Sequence, residues 1–307
     1  MSSFSCVGDD VVGAFAKEGI WTLALFKKNG SIQIIDQPFI DFSGLNSHQN
    51  RVVAIASSSK ISEGIFEIDL LDKSWDHTPA SSFCLDPTQI SSGESFWFIG
   101  SNEENVHAWY YPPLDRKILL PPLLVKSHSG PTGMARCGLD MEVQFWTSRG
   151  WAVVDVNYGG SSGFGRKYRD RLRGNWGLVD VLDCTKAAQS LIASGKVDEE
   201  RIAIVGSSAS GFTALGCLIS TDIFNIGACK YAVADLISMA NSTHRFEEFY
   251  LDYLIGNIET DYEKYLKRSP IENVQSINMP VILFHGLKDK VIPSDQSIAI
   301  KDELLKR

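Results

Sequence analysis

From residue 123 onward the chain alternates short, almost wholly apolar runs with helical stretches, and few folds accept that alternation. The runs fall at residues 123–127, 151–157, 203–206, 227–233 and 281–286. Strands without a polar face suit a parallel sheet covered by helices on both sides. Strands alternating with helices wind into a doubly wound α/β sheet. Between the runs, residues 176–193 place Leu178, Val181, Leu182, Thr185, Ala188 and Ile192 on a 3.6-residue stripe, and Gly195 follows as a stop signal. Residues 209–220 are apolar nearly all round and predict a buried helix.

The first hundred residues have another character. Short β-type runs recur at 11–16, 20–27, 31–35, 52–56, 64–70 and 95–99, and Asn29-Gly30 between two of them is a strong hairpin signal. A propeller blade takes roughly 40–50 residues, so this stretch holds about two. A closed propeller needs at least about four. The segment is therefore either another β fold or the last blades of a propeller entered partway. Tyr110-Tyr111-Pro112-Pro113 and Pro121-Pro122 punctuate the crossover. The expected organisation is a β segment over 1–100 and an α/β domain over 101–307.

Charge narrows the partners. The net charge of −8 is spread without long like-charge runs, which argues against nucleic acid and anionic membrane. No apolar run approaches about 18 residues, so no membrane span is expected. The N-terminus has neither a basic start nor an apolar stretch of secretory type. Cys6, Cys84, Cys137, Cys184, Cys217 and Cys229 include no C-x-x-C pair, and they read as free thiols of a cytoplasmic protein.

Chemistry concentrates at one strand-to-helix junction. Within residues 202–212, Ser208 follows an apolar strand and precedes a helix, with Gly206 two positions before it. A nucleophile elbow needs this context: a strained turn lifts the hydroxyl, and small residues two positions either side avoid a clash. Ser210 stands where the G-x-S-x-G pattern wants glycine, and is expected to be a tolerated strain, with Gly211 sharing the close-packing role. Asp289 sits on the loop after the fifth apolar run. That is where α/β-hydrolases place the triad acid, although a turn aspartate bonding its own backbone would look the same. His128, Ser129 and Gly130 follow the first apolar run, where an oxyanion hole is completed, with Ala209 N–H as the other donor. Glycines 159–165 do not form G-x-G-x-x-G, so no dinucleotide is implied, and no histidine pair has ligand spacing; neither cofactor nor metal is expected. Asp180 and Asp183 read as structural. Leu236, Met239, Phe246, Val291 and Ile292 are candidate walls of a substrate pocket, with apolar core as the competing assignment.

His128-Ser129-Gly130-Pro131, residues 157–165 from Asn157 to Gly165, Gly174-Asn175-Trp176-Gly177, the Ser208 elbow and Phe284-His285-Gly286-x-x-Asp289 occur in this order. Together they resemble the catalytic domain of the prolyl oligopeptidase family, most of all its acylaminoacyl-peptidase-like and dipeptidyl-aminopeptidase-like members. The resemblance covers about residues 95–307. It implies a Ser-Asp-His serine peptidase acting on short peptides, with a propeller over the site. The family usually has glycine at the positions of Ser129 and Ser210. Its triad histidine lies beyond the Asp289 position, after a further helix and strand, and residues 290–307 contain no histidine.

The expected function is hydrolysis of short peptides through an acyl-enzyme on Ser208. A carboxylesterase on the same fold is the first rival, and the β segment argues against it. An inactive fragment or pseudoenzyme is the second, and the missing histidine argues for it. The chain as given is expected to be nearly inactive and aggregation-prone at an open sheet edge. Homo-oligomerisation is left open.

Overall fold

The computed structural model describes residues 3–82, 84–242 and 249–306. These residues form two compact units, one of residues up to 93 together with 136–148, the other of 94–135 together with residues from 149 onward.

The first unit carries two four-stranded antiparallel sheets, each a meander. One runs β1 (Phe4–Val7), β2 (Asp10–Lys17), β3 (Ile20–Phe26) and β4 (Ile32–Ile34); the other runs β5 (Asp41–His48), β6 (Arg51–Ser57), β7 (Gly64–Asp69) and β8 (Trp75–Pro79). The Asn29-Gly30 signal holds: Lys27 N donates to Ser31 O, and Asn29 Oδ1 accepts from Ser31 N. Period-two alternation buries Val12 and Ala14 opposite Leu25 and Leu23, and Val52, Ala54 and Ala56 on β6. These join Phe39, Phe42 and Phe66 in one core. Each sheet has the form of a propeller blade, as the first hundred residues suggested. Helix α1 (Met141–Thr147) belongs to this unit too. Asp140 caps it by accepting from Glu142 N, and Gln144 exchanges two hydrogen bonds with the Ser91 backbone, at 2.8 and 3.0 Å.

The second unit is built on a seven-stranded sheet in the order β15-β14-β13-β11-β12-β10-β9. Its strands are β9 (Glu94–Ile99), β10 (Asn105–Tyr111), β11 (Leu123–Ser127), β12 (Ala152–Asn157), β13 (Ile202–Ser207), β14 (Ile226–Lys230) and β15 (Val281–Phe284). β11 to β15 run parallel; β10 and β9 close one side antiparallel. Residues 95–99, grouped with the earlier hairpins on composition, thus pair with β10 in this sheet instead. The reason is local: β9 and β10 form a hairpin, and β10 pairs β12 from His107 opposite Asn157. β12 is buried at every position, as a strand covered on both faces should be.

Among the helices of this unit, α2 (Arg166–Arg169), α3 (Val179–Ala193) and α4 (Ala209–Ser220) precede α5 (Leu236–Ser242), α6 (Tyr250–Leu254), α7 (Tyr262–Arg268), α8 (Pro270–Asn273) and α9 (Asp295–Leu304). α4 has the bounds read from sequence. α3 starts at Val179 rather than residue 176, and its buried face is rotated from the expected stripe. Leu178 and Leu182 are exposed, whereas Asp180, Asp183 and Cys184 are buried. The rotation is possible because both carboxylates find donors. Asp183 accepts from Ser101 N and Gly159 N at 2.7 Å each, and Asp180 accepts from Gly177 N and Thr213 Oγ1. β15 is an edge strand whose Ile282 and Phe284 are about half exposed. Among the described residues no helix is long and apolar enough to cross a membrane.

Candidate active site

Four loops gather at the carboxyl ends of the parallel strands. β13 delivers Ser208, β11 on one side of it delivers Ser129, and β14 on the other side ends at Lys230. β15 beyond β14 leads to Asp289. Open α/β sheets place ligands at this end.

Ser208 is the residue between β13 and α4, with φ 54° and ψ −121°. A side-chain-bearing residue in that region is strained. The strain is held from three directions: Ser208 N donates to Lys230 O, and Ser208 O accepts from Phe212 N and Val233 N. Ser208 is half-buried, and its hydroxyl has no hydrogen bond among the described residues. A Cβ on Gly206 would overlap the Ser210 carbonyl, and one on Gly211 would stand 2.6 Å from Ala232 Cβ. So Gly206 lets the turn close, and Gly211 lets α4 approach the chain after β14. Ala209 is the first residue of α4, so its N–H is one of the donors that a helix leaves over at its start.

Ser210 corrects an expectation. It is 2 % exposed, and it is bonded rather than merely tolerated. Its Oγ accepts from Ser207 N at 2.8 Å and donates to Ser207 O at 2.9 Å. The hydroxyl supplies what a glycine could not, a local partner for both backbone groups of Ser207.

His128 also departs from the oxyanion role considered for it. Nδ1 donates to Gly130 O at 3.0 Å, Nε2 lies 2.7 Å from Ser161 Oγ, and the ring packs tilted against Tyr158 with centroids 4.5 Å apart. Burial pushes its pKa down to about 4, against the pull of the Gly130 and Ser129 carbonyls. A neutral imidazole with both nitrogens committed is a loop pin, so the donors this loop has left are backbone N–H groups. Ser129 is exposed; its Oγ donates to Ser207 O at 3.0 Å and lies 2.8 Å from Ser207 Oγ.

Asp289 holds its own loop. Oδ1 accepts from Val291 N at 2.9 Å and Ile292 N at 3.0 Å, and these two bonds lower its pKa. The turn-aspartate geometry is therefore present, with Oδ2 not engaged in it. His285 pins the same loop, Nε2 donating to Ile292 O and Nδ1 standing 2.7 Å from Ser297 Oγ. His107 is fully buried beside Asn157 and Ser95, and burial lowers its pKa to about 4. None of these three histidines is hydrogen-bonded to Ser208. His244 and Phe246 lie outside the described residues.

Of the other pocket candidates, Leu236 and Ile292 are core, at 0 and 6 % exposure, because Leu236 sits on a helix start bonded to Ser269 Oγ and Ile292 is tucked in by Asp289 and His285. Met239 is half-buried against that core, and Val291 is exposed. Two features escaped the sequence. Tyr231, at the end of β14 between the Ser208 and Asp289 strands, has φ 39° and is fixed by Tyr231 N donating to Phe284 O. Ser207 is a meeting point of hydroxyls; the serine-rich run 207–210 was its visible signal.

Residues 138–307 match the prolyl oligopeptidase family. The uncharacterized peptidase YuxL of Bacillus subtilis (strain 168) is 23 % identical over 95 % of the chain and 48 % of its own length. The acylamino-acid-releasing enzyme of Mus musculus is 30 % identical over 58 % of the chain and 25 % of its own length. Among solved structures, a puromycin-hydrolyzing peptidase of Mycobacterium tuberculosis superposes with a TM-score of 0.94 and 33 % identity, over 99 % of this chain and 48 % of that one. The chain spans about half the length of the Bacillus subtilis and Mycobacterium tuberculosis proteins, and its match to the mouse enzyme covers a quarter of that protein.

Proposed function

The chain belongs to the prolyl oligopeptidase family, and from that membership we propose that it carries the nucleophile of a serine peptidase that cleaves amide bonds of short peptides. The observation that supports this most is the geometry of Ser208: φ 54° at a strand-to-helix junction, with the hydroxyl left free by its neighbours. In the proposed reaction Ser208 Oγ attacks the carbonyl carbon as its proton passes to a base. The carbonyl oxygen becomes an oxyanion facing Ala209 N–H and a backbone N–H of the 128–130 loop. The C–N bond then breaks, the amine leaves with a proton, and water releases the acyl group from Ser208. Asp289, through Oδ2, is the acid assigned to orient an imidazole. Relatives named as acylamino-acid-releasing and puromycin-hydrolyzing enzymes support small substrates rather than folded proteins. Free thiols at all six cysteines support the cytoplasmic assignment.

A second reading, that the chain by itself is inactive, is favoured by a specific observation: the imidazoles of His107, His128 and His285 are all committed elsewhere. The direct test is labelling with a fluorophosphonate probe, with imidazole added as an external base, and mapping of the adduct. An adduct on Ser208 that Ser208→Ala abolishes supports the nucleophile. An adduct on another residue, or equal labelling of Ser208→Ala, refutes it.

A further inference from the structure

Three hydroxyl groups meet at the residue before the proposed nucleophile. β11 pairs with β13 only as far as Lys126 opposite Val205, so the Ser207 N–H and C=O lie past the last rung of that ladder. Backbone groups in such a place need other partners. Ser207 N donates to Ser210 Oγ at 2.8 Å, and Ser210 Oγ donates back to Ser207 O at 2.9 Å. Ser129 Oγ donates to the same carbonyl at 3.0 Å and lies 2.8 Å from Ser207 Oγ, which then donates to it. Every proton has one destination, and the Ser207 carbonyl uses both lone pairs. Ser129 lies on the loop after β11 and Ser210 in the first turn of α4, and both stand where the family pattern has glycine.

We infer that Ser129 and Ser210 are positioning residues that act through Ser207, holding the strained turn at Ser208 and fixing the 128–130 loop beside Ala209. The inference rests on the acyl-transfer reading above. Its physical content is that one hydroxyl closes the elbow on itself while the other ties the two proposed oxyanion donors together across β11 and β13. Electrostatic stabilisation of an oxyanion depends on donors fixed before the reaction. A loosened tie should therefore lower the rate of acylation and leave binding unchanged.

The experiment uses the 307-residue chain with imidazole present and resolves fluorophosphonate labelling into probe affinity and maximal rate. Ser129→Ala and Ser210→Gly should each lower the maximal rate about five- to tenfold, the scale of one lost hydrogen bond, with affinity unchanged. Ser129→Thr, which returns the hydroxyl at an exposed position, should label several-fold faster than Ser129→Ala. Equal maximal rates for the parent and Ser129→Ala overturn the inference, as does Ser129→Thr behaving like Ser129→Ala. Because Ser129 is exposed, this arm remains decisive even where Ser210→Gly misfolds. If the parent is not labelled at Ser208, the acyl-transfer reading fails on its own account. Amide exchange then decides the bracing: faster exchange of Ser207 N–H in Ser210→Gly supports it, and unchanged exchange overturns it.

Discussion

Thr213 Oγ1 donates to Asp180 Oδ2 at 2.5 Å, a bond between two fully buried groups that ties α3 to the helix beginning after Ser208. Asp180 also accepts from Gly177 N at 2.6 Å. Burial pushes its pKa up to about 6, against these two donors. Thr213→Val removes one donor and leaves the methyl volume in place. It should destabilise the α/β unit by about 1–3 kcal/mol, the penalty for an unsatisfied buried group, and raise the Asp180 pKa further. Urea unfolding followed by tryptophan fluorescence measures the first; a loss below about 0.5 kcal/mol would mean that water reaches the carboxylate.

His107 and His128 should titrate near pH 4 rather than near 6.5, because burial disfavours their charged forms. The sign follows from the direction of the shift. As pH falls from 6.5 to 4 the unfolded chain binds protons that the folded chain refuses, so these two groups withdraw stability over that window and withdraw no more below it. Asp180 acts the other way: with its pKa raised from 3.8 to about 6, it adds stability as pH falls through the same range. Asp180 therefore offsets part of what the two histidines withdraw, and the three together give a shallower dependence than the histidines alone. NMR titration of the imidazole carbons separates them, and a midpoint near 6.5 for either ring would show that it is solvated.

Gly206→Ala should abolish Ser208 labelling, since the added methyl overlaps the Ser210 carbonyl and the turn at Ser208 cannot close. Gly211→Ala drives a methyl to 2.6 Å from Ala232 Cβ and should cost stability rather than labelling chemistry. Comparing thermal midpoint and labelling rate for the two variants distinguishes a turn that must be tight from a helix that must sit close.

The two blade-like sheets, the parallel sheet and the elbow were legible because each rests on local pattern: alternation, continuous apolar runs, and a glycine two residues before Ser208. What the sequence hid is tertiary. The face of α3 turns toward Asp180 and Asp183 because Gly159, Ser101 and Thr213 bring donors from distant segments, and Gly177 adds one from the turn just before the helix. Ser210 looked like a misfit because its two partners are backbone atoms of Ser207, which no side-chain pattern announces. His128 looked like a donor to substrate because its partner Ser161 is thirty-three residues away. The placement of β9 followed pairing with β10, which composition alone does not distinguish from another blade strand.

Ile282→Lys should raise the solubility of the 307-residue chain. β15 is an edge with Ile282 and Phe284 about half exposed, and a lysine on such an edge discourages strand-to-strand association. Sedimentation velocity of the parent and the variant at several concentrations reads this directly, and identical sedimentation would remove β15 as the contact.

The 307-residue chain alone should hydrolyse activated esters slowly, and added imidazole should accelerate it through Ser208. A serine hydroxyl is a weak nucleophile until a base accepts its proton. His128 gives both nitrogens to Gly130 and Ser161, and its pKa near 4 makes it a poor proton acceptor at neutral pH. His285 gives its nitrogens to Ile292 and Ser297, and breaking those bonds would release the loop that carries Asp289. An external imidazole meets neither constraint, and the Ser208 hydroxyl, which makes no hydrogen bond among the described residues, has none to give up first. The expected result is a rate that rises with imidazole concentration in the parent well beyond the increase in buffer, and not in Ser208→Ala. Asp289→Asn should reduce that rise, if Oδ2 orients the bound imidazole as assigned. High turnover without imidazole, lost in His285→Gln with the fold intact, would instead identify His285 as the resident base and overturn the assignment of a committed loop pin.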